Sequence, residues 1–289
     1  MNEDTGVWAY AITEDGHSPG PDGEVDLSWV AGVGAAKVRT ITCSGLTVLV
    51  SDVRRAEFGE AALRENLENL DWLDEVAREH HHVIDAAARL FPLLPVRLAT
   101  VYSGDAAVCA ALAEHNGRLL NVLRRVGGRI EWGVKVYAAQ EPEAAPESGT
   151  AEPDKAGSAP AARNLAAGAG TGEDAGPGSG AGLAYLKRRR AQLTEAREAK
   201  VSAVNAAQAV HADLTAKAAD TRLHPPQSAQ LSGVRQPMLL NAAYLLDPSD
   251  AATFTAAVAG QATAHPELRV ELTGPWPPYS FADGDDDRH

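Results

Sequence analysis

Residues 129–138 read Arg-Ile-Glu-Trp-Gly-Val-Lys-Val-Tyr-Ala. Ile130, Trp132, Val134 and Val136 alternate with Glu131, Gly133 and Lys135, the period of a strand with one buried face. What flanks this strand sets the plan of the chain. Before it, residues 105–126 place Val108, Leu112, His115, Leu119 and Leu123 on one side of an amphipathic helix, closed by Gly127-Gly128. After it the composition changes. From Gln140 to Gly182 the chain is dominated by Ala, Gly, Pro, Glu and Ser, and Leu165 is its only large aliphatic residue. Such a stretch cannot bury enough apolar surface to offset the entropy of ordering it, which predicts a disordered linker over residues 140–182. The strand therefore reads as the last of an N-terminal domain, residues 1–139. Residues 183–289 read as a C-terminal domain ending in an acidic tail.

The remaining segments alternate in type. Residues 6–12 (GVWAYAI) are rich in β formers. Residues 37–42 and 46–51 flank Cys43-Ser44-Gly45, a hairpin turn, with Leu46, Val48 and Val50 on one face. Residues 57–91 read as helical with a break near 66–69, where Asn69 is an N-cap ahead of Asp71, Asp74 and Glu75. Leu70, Leu73, Ala77, Ile84 and Ala87 form its predicted buried stripe, and Pro92 ends it. Residues 94–102 (LPVRLATVY) read as a strand. In the second half, residues 183–222 read as one long helix with sparse apolar positions at Leu186, Leu193, Val201, Val204 and Leu214. A strand at 237–246, a helix at 250–264 and a strand at 268–273 follow. Helices layered on mostly antiparallel sheets make an α+β protein of two domains.

Charge and cysteine content exclude several classes. The 26 Lys and Arg face 39 Asp and Glu, and a net charge of −13 repels phosphate backbones and anionic lipid. Neither a nucleic acid nor a membrane is expected as a partner. No apolar run reaches the roughly 18 residues that span a bilayer. The first residues, MNEDTGVWAYAI, are acidic before they are apolar, unlike a secretory signal. Cys43 and Cys109 offer neither a disulfide framework nor a zinc spacing. The expectation is a cytoplasmic protein with reduced thiols.

Candidate chemistry is sparse. In a helix, His80, His81 and His82 diverge by about 100° per residue, so the three cannot share one metal. His81 and Asp85 lie one turn apart, but no third ligand is near. Gly168-Ala-Gly170-Thr-Gly172 lacks the preceding strand of a dinucleotide loop. No nucleophile elbow or metalloprotease helix is present, and neither Cys43 nor Cys109 has a neighbouring His. No catalytic residue, cofactor or metal is therefore assigned. Asn241 stands among apolar residues of a strand, where an unpartnered amide costs about 1–3 kcal/mol, so it is a candidate structural polar group. Trp276, Tyr279 and Phe281 are candidate partner-binding residues in a segment stiffened by three prolines. The expectation is that Trp276 packs on the second domain while Tyr279 and Phe281 stay partly available. The competing reading is a ligand-binding or enzymatic groove near His80–His82 and Arg97. An open apolar patch favours the first reading, and a deep polar pocket the second.

Four stretches carry a family resemblance: residues 57–73 (EFGEAALRENLENLDWL), 131–137 (EWGVKVY), 241–245 (NAAYL) and 274–281 (GPWPPYSF). In order and spacing they resemble the gas vesicle GvpL/GvpF family, with an actinobacterial-type linker. One departure is Leu98-Ala99, where the family tends to have Phe-Gly. The resemblance implies two α+β domains with ferredoxin-like features. It also implies a non-enzymatic role, in which the protein binds the small hydrophobic shell subunit and other accessory proteins and supports vesicle nucleation and assembly.

Overall fold

In the computed structural model, which describes residues 4–16, 27, 29–139, 179–228 and 233–282, the chain forms two antiparallel sheets. The first contains β1 (Thr5–Glu14), β2 (Val38–Cys43), β3 (Leu46–Arg54), β4 (Leu94–Pro95) and β5 (Val101–Tyr102). Its order is β2-β3-β1-β4, with β5 also on β1. Ser44 and Gly45 turn the β2–β3 hairpin with φ of 58° and 76°, the left-handed pair that a tight primed turn needs. Residues 6–13 are buried without a break. Trp8 and Tyr10 pack on one face, while Val7, Ala9 and Ile12 pack on the other. A bulge between Ala9 and Ala11 shifts the parity. A strand covered on both faces reads as a continuous apolar run, as GVWAYAI does.

The covering helices are α3 (Leu70–Ala88) and α4 (Asp105–Val126), with α1 (Arg55–Phe58) and α2 (Glu60–Asn66) leading in. Asn69 caps α3 by accepting from the backbone of Asp71 and Trp72, at the predicted break. The buried face of α3 is Val76, His80, Val83, Ile84, Ala86 and Ala87, which keeps Ile84 and Ala87 of the predicted stripe and replaces its first half. Leu70 is 78% exposed and Leu73 and Ala77 are half-buried, because a buried histidine holds the centre of the face and leaves those residues on its shoulder. In α4, His115 is exposed, while Val122 and Val126 join the expected core positions. The predicted strand at 94–102 is two short strands separated by an irregular stretch, in which Ala99 has φ 64°. Cys43 and Cys109 are joined in a disulfide with Cα atoms 5.7 Å apart, which corrects the expectation of reduced thiols. The end of β2 lies against α4, and a tertiary approach of residues 66 apart leaves no mark in cysteine spacing.

The second sheet has the order β7-β8-β6-β9. Its strands are β6 (Ile130–Ala138), β7 (Asp220–Leu223), β8 (Met238–Leu246) and β9 (Leu268–Trp276). With α5 (Ser179–Thr215) and α6 (Ala251–Ala264), the chain order is βαββαβ, a ferredoxin-like arrangement. The α+β reading holds. The membership of residues 130–138 does not: β6 pairs with β8 and β9, in the sheet of the second half. The Ala/Gly/Pro stretch thus falls inside a β-to-α crossover. Residues 140–178 of the predicted linker lie outside the described residues, as does the acidic tail, and residues 179–182 belong to α5. The long helix ends at Thr215, and Arg222 sits in the edge strand β7, whose four residues show no apolar alternation.

β8 joins two cores. Leu240, Ala242, Tyr244 and Leu246 pack with α5 and α6, whereas Ala243 and Leu245 enter the core around Val122, Leu123 and Val126 of α4. Cleavage at a protease site engineered within residues 140–178 is therefore expected to leave one particle. The nicked protein should elute at the intact mass on native size exclusion and separate only in denaturant. Two independently eluting folded fragments would show that β6 does not hold the halves. Ala99→Gly should raise stability by about 0.5–1 kcal/mol in urea unfolding, because the left-handed backbone there disfavours a side chain. No gain would mean that the position is unstrained.

Candidate partner-binding site

The C-terminal segment leaves β9 and crosses to the first half as a strap. At Gly274, with φ 124°, a Cβ would meet the Glu131 carbonyl oxygen at 2.9 Å, so the close passage over β6 requires glycine. The Gly274–Pro275 peptide is cis. Pro277 and Pro278 are buried, and residues Tyr279–Phe281 form a 3-10 turn.

Glu131 locks the strap. It is 8% exposed and accepts from the Ser280 backbone N–H at 2.8 Å and from Ser280 Oγ at 2.6 Å. Burial pushes its carboxyl above the ordinary value, opposed by the Ser280 hydrogen bonds and by Arg222. His224 Nε2 lies 3.2 Å from Ser280 Oγ and must be the donor, since the hydroxyl proton already goes to Glu131. Burial holds the His224 pKa below the ordinary value, with Arg222 adding to the effect. The acid sits on the serine rather than on the histidine, so these three groups do not form a nucleophile relay. Their bonds position backbone. Arg125 Nη2 also donates to the Phe281 carbonyl at 3.1 Å.

Two of the strap's aromatic residues exchange the burial expected of them, while Tyr279 stays partly exposed as expected. Phe281 is fully buried in the core shared by both halves, whereas Trp276 is 44% exposed. Tyr279 is half-buried and stacks on His81 at 6.0 Å, with its hydroxyl 3.4 Å from His81 Nδ1. Burial raises the Tyr279 pKa, and Asp85 and Glu131 add to it, so the phenol is neutral. The Trp276 ring meets His81 edge-on at 5.4 Å. His81 Nε2 lies 3.4 Å from Asp85. Ala77, Arg97, Leu98, His81, Trp276 and Tyr279 line an open groove of about 650 Å³. A second hollow of about 290 Å³ lies along Trp276, beside Phe91 and Pro248.

The three histidines diverge as helix geometry requires. His80 points into the core, His81 into the groove, and His82 is exposed. His80 Nδ1 accepts from the Trp8 indole at 2.9 Å, so Nε2 carries the proton and donates to the Val96 carbonyl at 3.1 Å. Burial pushes its pKa down to about 4. Among the described residues no three His, Cys, Asp or Glu side chains are grouped to hold a metal ion. Asn241 is half-buried, and its Nδ2 donates to the Pro225 carbonyl at 3.0 Å, in the loop after β7. Glu131, Ser280 and His224 escaped the sequence reading. Glu131 stands on what looks like the polar face of β6, and nothing local to it reveals a partner 149 residues away.

An acid-sensitivity prediction follows from His80. It stays neutral in the fold but protonates in the unfolded chain near its ordinary value of 6.5. The unfolded state therefore binds more protons below pH 6.5, and stability should fall as the pH drops from about 6.5 toward about 4, by up to about 3 kcal/mol. Urea unfolding across this range should show a shallower pH slope for His80→Gln. Equal slopes would remove His80 as the cause.

Residues 6–283 match the family model for gas vesicle synthesis protein GvpL/GvpF. Gas vesicle protein L of Streptomyces sp. (strain CB03234) is 36% identical over 283 residues, 98% of this chain and 94% of that protein. Gas vesicle protein F of the same strain is 30% identical over 205 residues, 71% and 76% of the two chains. The crystal structure of GvpF from Anabaena sp. PCC7120 aligns over 99% of both chains with a TM-score of 0.60 at 18% identity, a likeness of fold. No described helix is long and apolar enough to cross a membrane. With nearly its whole length matched in sequence and in fold, the chain belongs to the GvpL/GvpF family of gas vesicle proteins.

Proposed function

We propose that this protein is a non-enzymatic accessory or minor structural component of the gas vesicle. On this reading it works in the cytoplasm, in association with the vesicle. It binds the hydrophobic shell subunit, alongside other accessory proteins, during nucleation and assembly. The observation that carries the reading is the exposed Trp276 ring, propped by His81, on which Tyr279 stacks, at the mouth of an open groove. A rigid, half-exposed indole between two hollows has the form of an interface anchor. The net charge of −13 keeps a complex with an apolar subunit in solution. The groove is a poor enzyme site. His81 already faces Tyr279 and Asp85, and among the described residues Arg78 and Arg97 are the basic side chains that line it besides the histidines.

Two substitutions separate anchor from scaffold. Trp276→Ala should cost about 1–2 kcal/mol of stability, because much of the ring already faces water, yet weaken shell-subunit binding by about 2 kcal/mol or more. Phe281→Ala should cost about 3–5 kcal/mol of stability, and its folded fraction should bind normally. The measurements are urea unfolding and titration with purified shell subunit. Normal binding by a folded Trp276→Ala protein would refute the groove as the docking site.

A further inference from the structure

Among the described residues, nothing covers the first half of α5. Residues 183–202 are exposed apart from Ala196, which is half-buried, and at about 1.5 Å per residue they extend about 30 Å. The second half packs on the sheet through Ala203, Ala206, Ala207, Val210 and Leu214. A different apolar line runs along the exposed side of the helix: Leu183 at 61% exposure, Leu186 at 63%, Leu193 at 59% and, at the start of the packed half, Val204 at 41%. Arg190 and Arg197 fall on the same line: positions 183, 186, 190, 193 and 197 follow three-and-four spacing, and Val204 lies two turns further on. That is the seam of a helix pair. It spans roughly 80° of the helix surface, narrow for sinking into lipid and sufficient for one facing helix.

Charge selects the occupant. Residues 183–204 hold six basic and two acidic residues in a chain of net charge −13. None of the six basic groups is paired with a described acidic side chain. The segment is several Debye lengths long, at about 8 Å each in physiological salt, so its field is its own. A second copy of the same helix would set Arg190 and Arg197 against like charge in the seam, which disfavours self-pairing. A helix with leucine-like residues and facing carboxylates satisfies both features.

We propose that the first half of α5 is a docking helix for an acidic amphipathic helix of another protein. Leu183, Leu186, Leu193 and Val204 form the seam, and Arg190 and Arg197 pair with the partner's carboxylates. This surface shares no residue with the Trp276 groove, so the two proposals stand or fall separately.

The test uses the full chain and a peptide of residues 183–204 carrying Glu for each Lys and Arg and Lys for each Glu. Fluorescence anisotropy should show saturable, salt-sensitive binding. Leu186→Asp/Leu193→Asp and Arg190→Glu/Arg197→Glu should each weaken it at least about tenfold. The arginine pair keeps helix-forming residues on an exposed face, so it reports even where the leucine pair disturbs folding. No saturation up to about 1 mM peptide would overturn the proposal. Binding unchanged by both variants would do the same. Equal or tighter binding of the unaltered 183–204 peptide would assign the seam to a second copy instead. Tighter binding to phosphatidylglycerol vesicles would assign it to lipid.

Discussion

β6 is hydrogen-bonded along both edges, to β8 from Ile130 to Tyr137 and to β9 from Glu131 to Ala138. Such a strand cannot shift register without breaking two ladders, and a one-residue slip would turn Val134 and Val136 out of the core. It is also tied to the first half within a few residues. α4 ends at Val126, Gly127 donates to the Leu123 carbonyl at 2.7 Å, and β6 begins at Ile130. The helix that covers the first sheet therefore runs straight into the centre of the second. Ala243 and Leu245 of the neighbouring strand reach the same core as Val122 and Val126, which fixes one half against the other. The second residue of β6, Glu131, then holds Ser280 and with it the strap.

The α+β class, the hairpin at Ser44-Gly45, the Asn69 cap and the span of α4 were legible because each is a local pattern. The sheet that owns β6 was not. Alternation says that a strand has one buried face and is silent on which neighbours it pairs with. The compositional break after it looked like a domain boundary, yet a βαβ crossover tolerates a long insertion as easily as an interdomain joint does. The first half of the stripe on α3 was misplaced for a different reason. His80 counts as polar in any periodicity, but Trp8 and Val96 satisfy both of its ring nitrogens, and it packs as a core residue. Cys43 and Cys109 repeat the lesson, since their pairing depends on where α4 lies over β2.

The strap shows the same limit at the candidate site. Three aromatic residues among prolines were recognisable as a rigid unit, but not which ring would face inward. That choice follows from Glu131. With Ser280 pinned through both its amide and its hydroxyl, and Arg125 holding the next carbonyl, the Phe281 ring enters the shared core under the Arg222 guanidinium at 6.0 Å. Trp276 lies five residues upstream of Phe281, at the end of β9, where it pairs with Glu131 beyond the register shift between Glu131 and Gly133. Its ring is left to the imidazole of His81.

A folded chain rarely leaves a large ring in water beside an apolar groove without an energetic consequence. An indole buries on the order of 200 Å² when covered. Trp276 is 44% exposed, so covering the remainder is worth roughly 2 kcal/mol at about 25 cal/mol per Å². That is the size of effect by which interface anchors are recognised. The cost of holding the ring in place is already met within the fold, because the prolines, the cap of the 3-10 turn and the Glu131–Ser280 bonds fix the backbone before any partner arrives. Little rotamer entropy remains to be lost on docking, which leaves most of the covered area available as affinity. Phe281 makes this arrangement stable, and on the proposed reading Trp276 is the ring that a partner covers. The two requirements fall on different rings because a single buried aromatic cannot meet both.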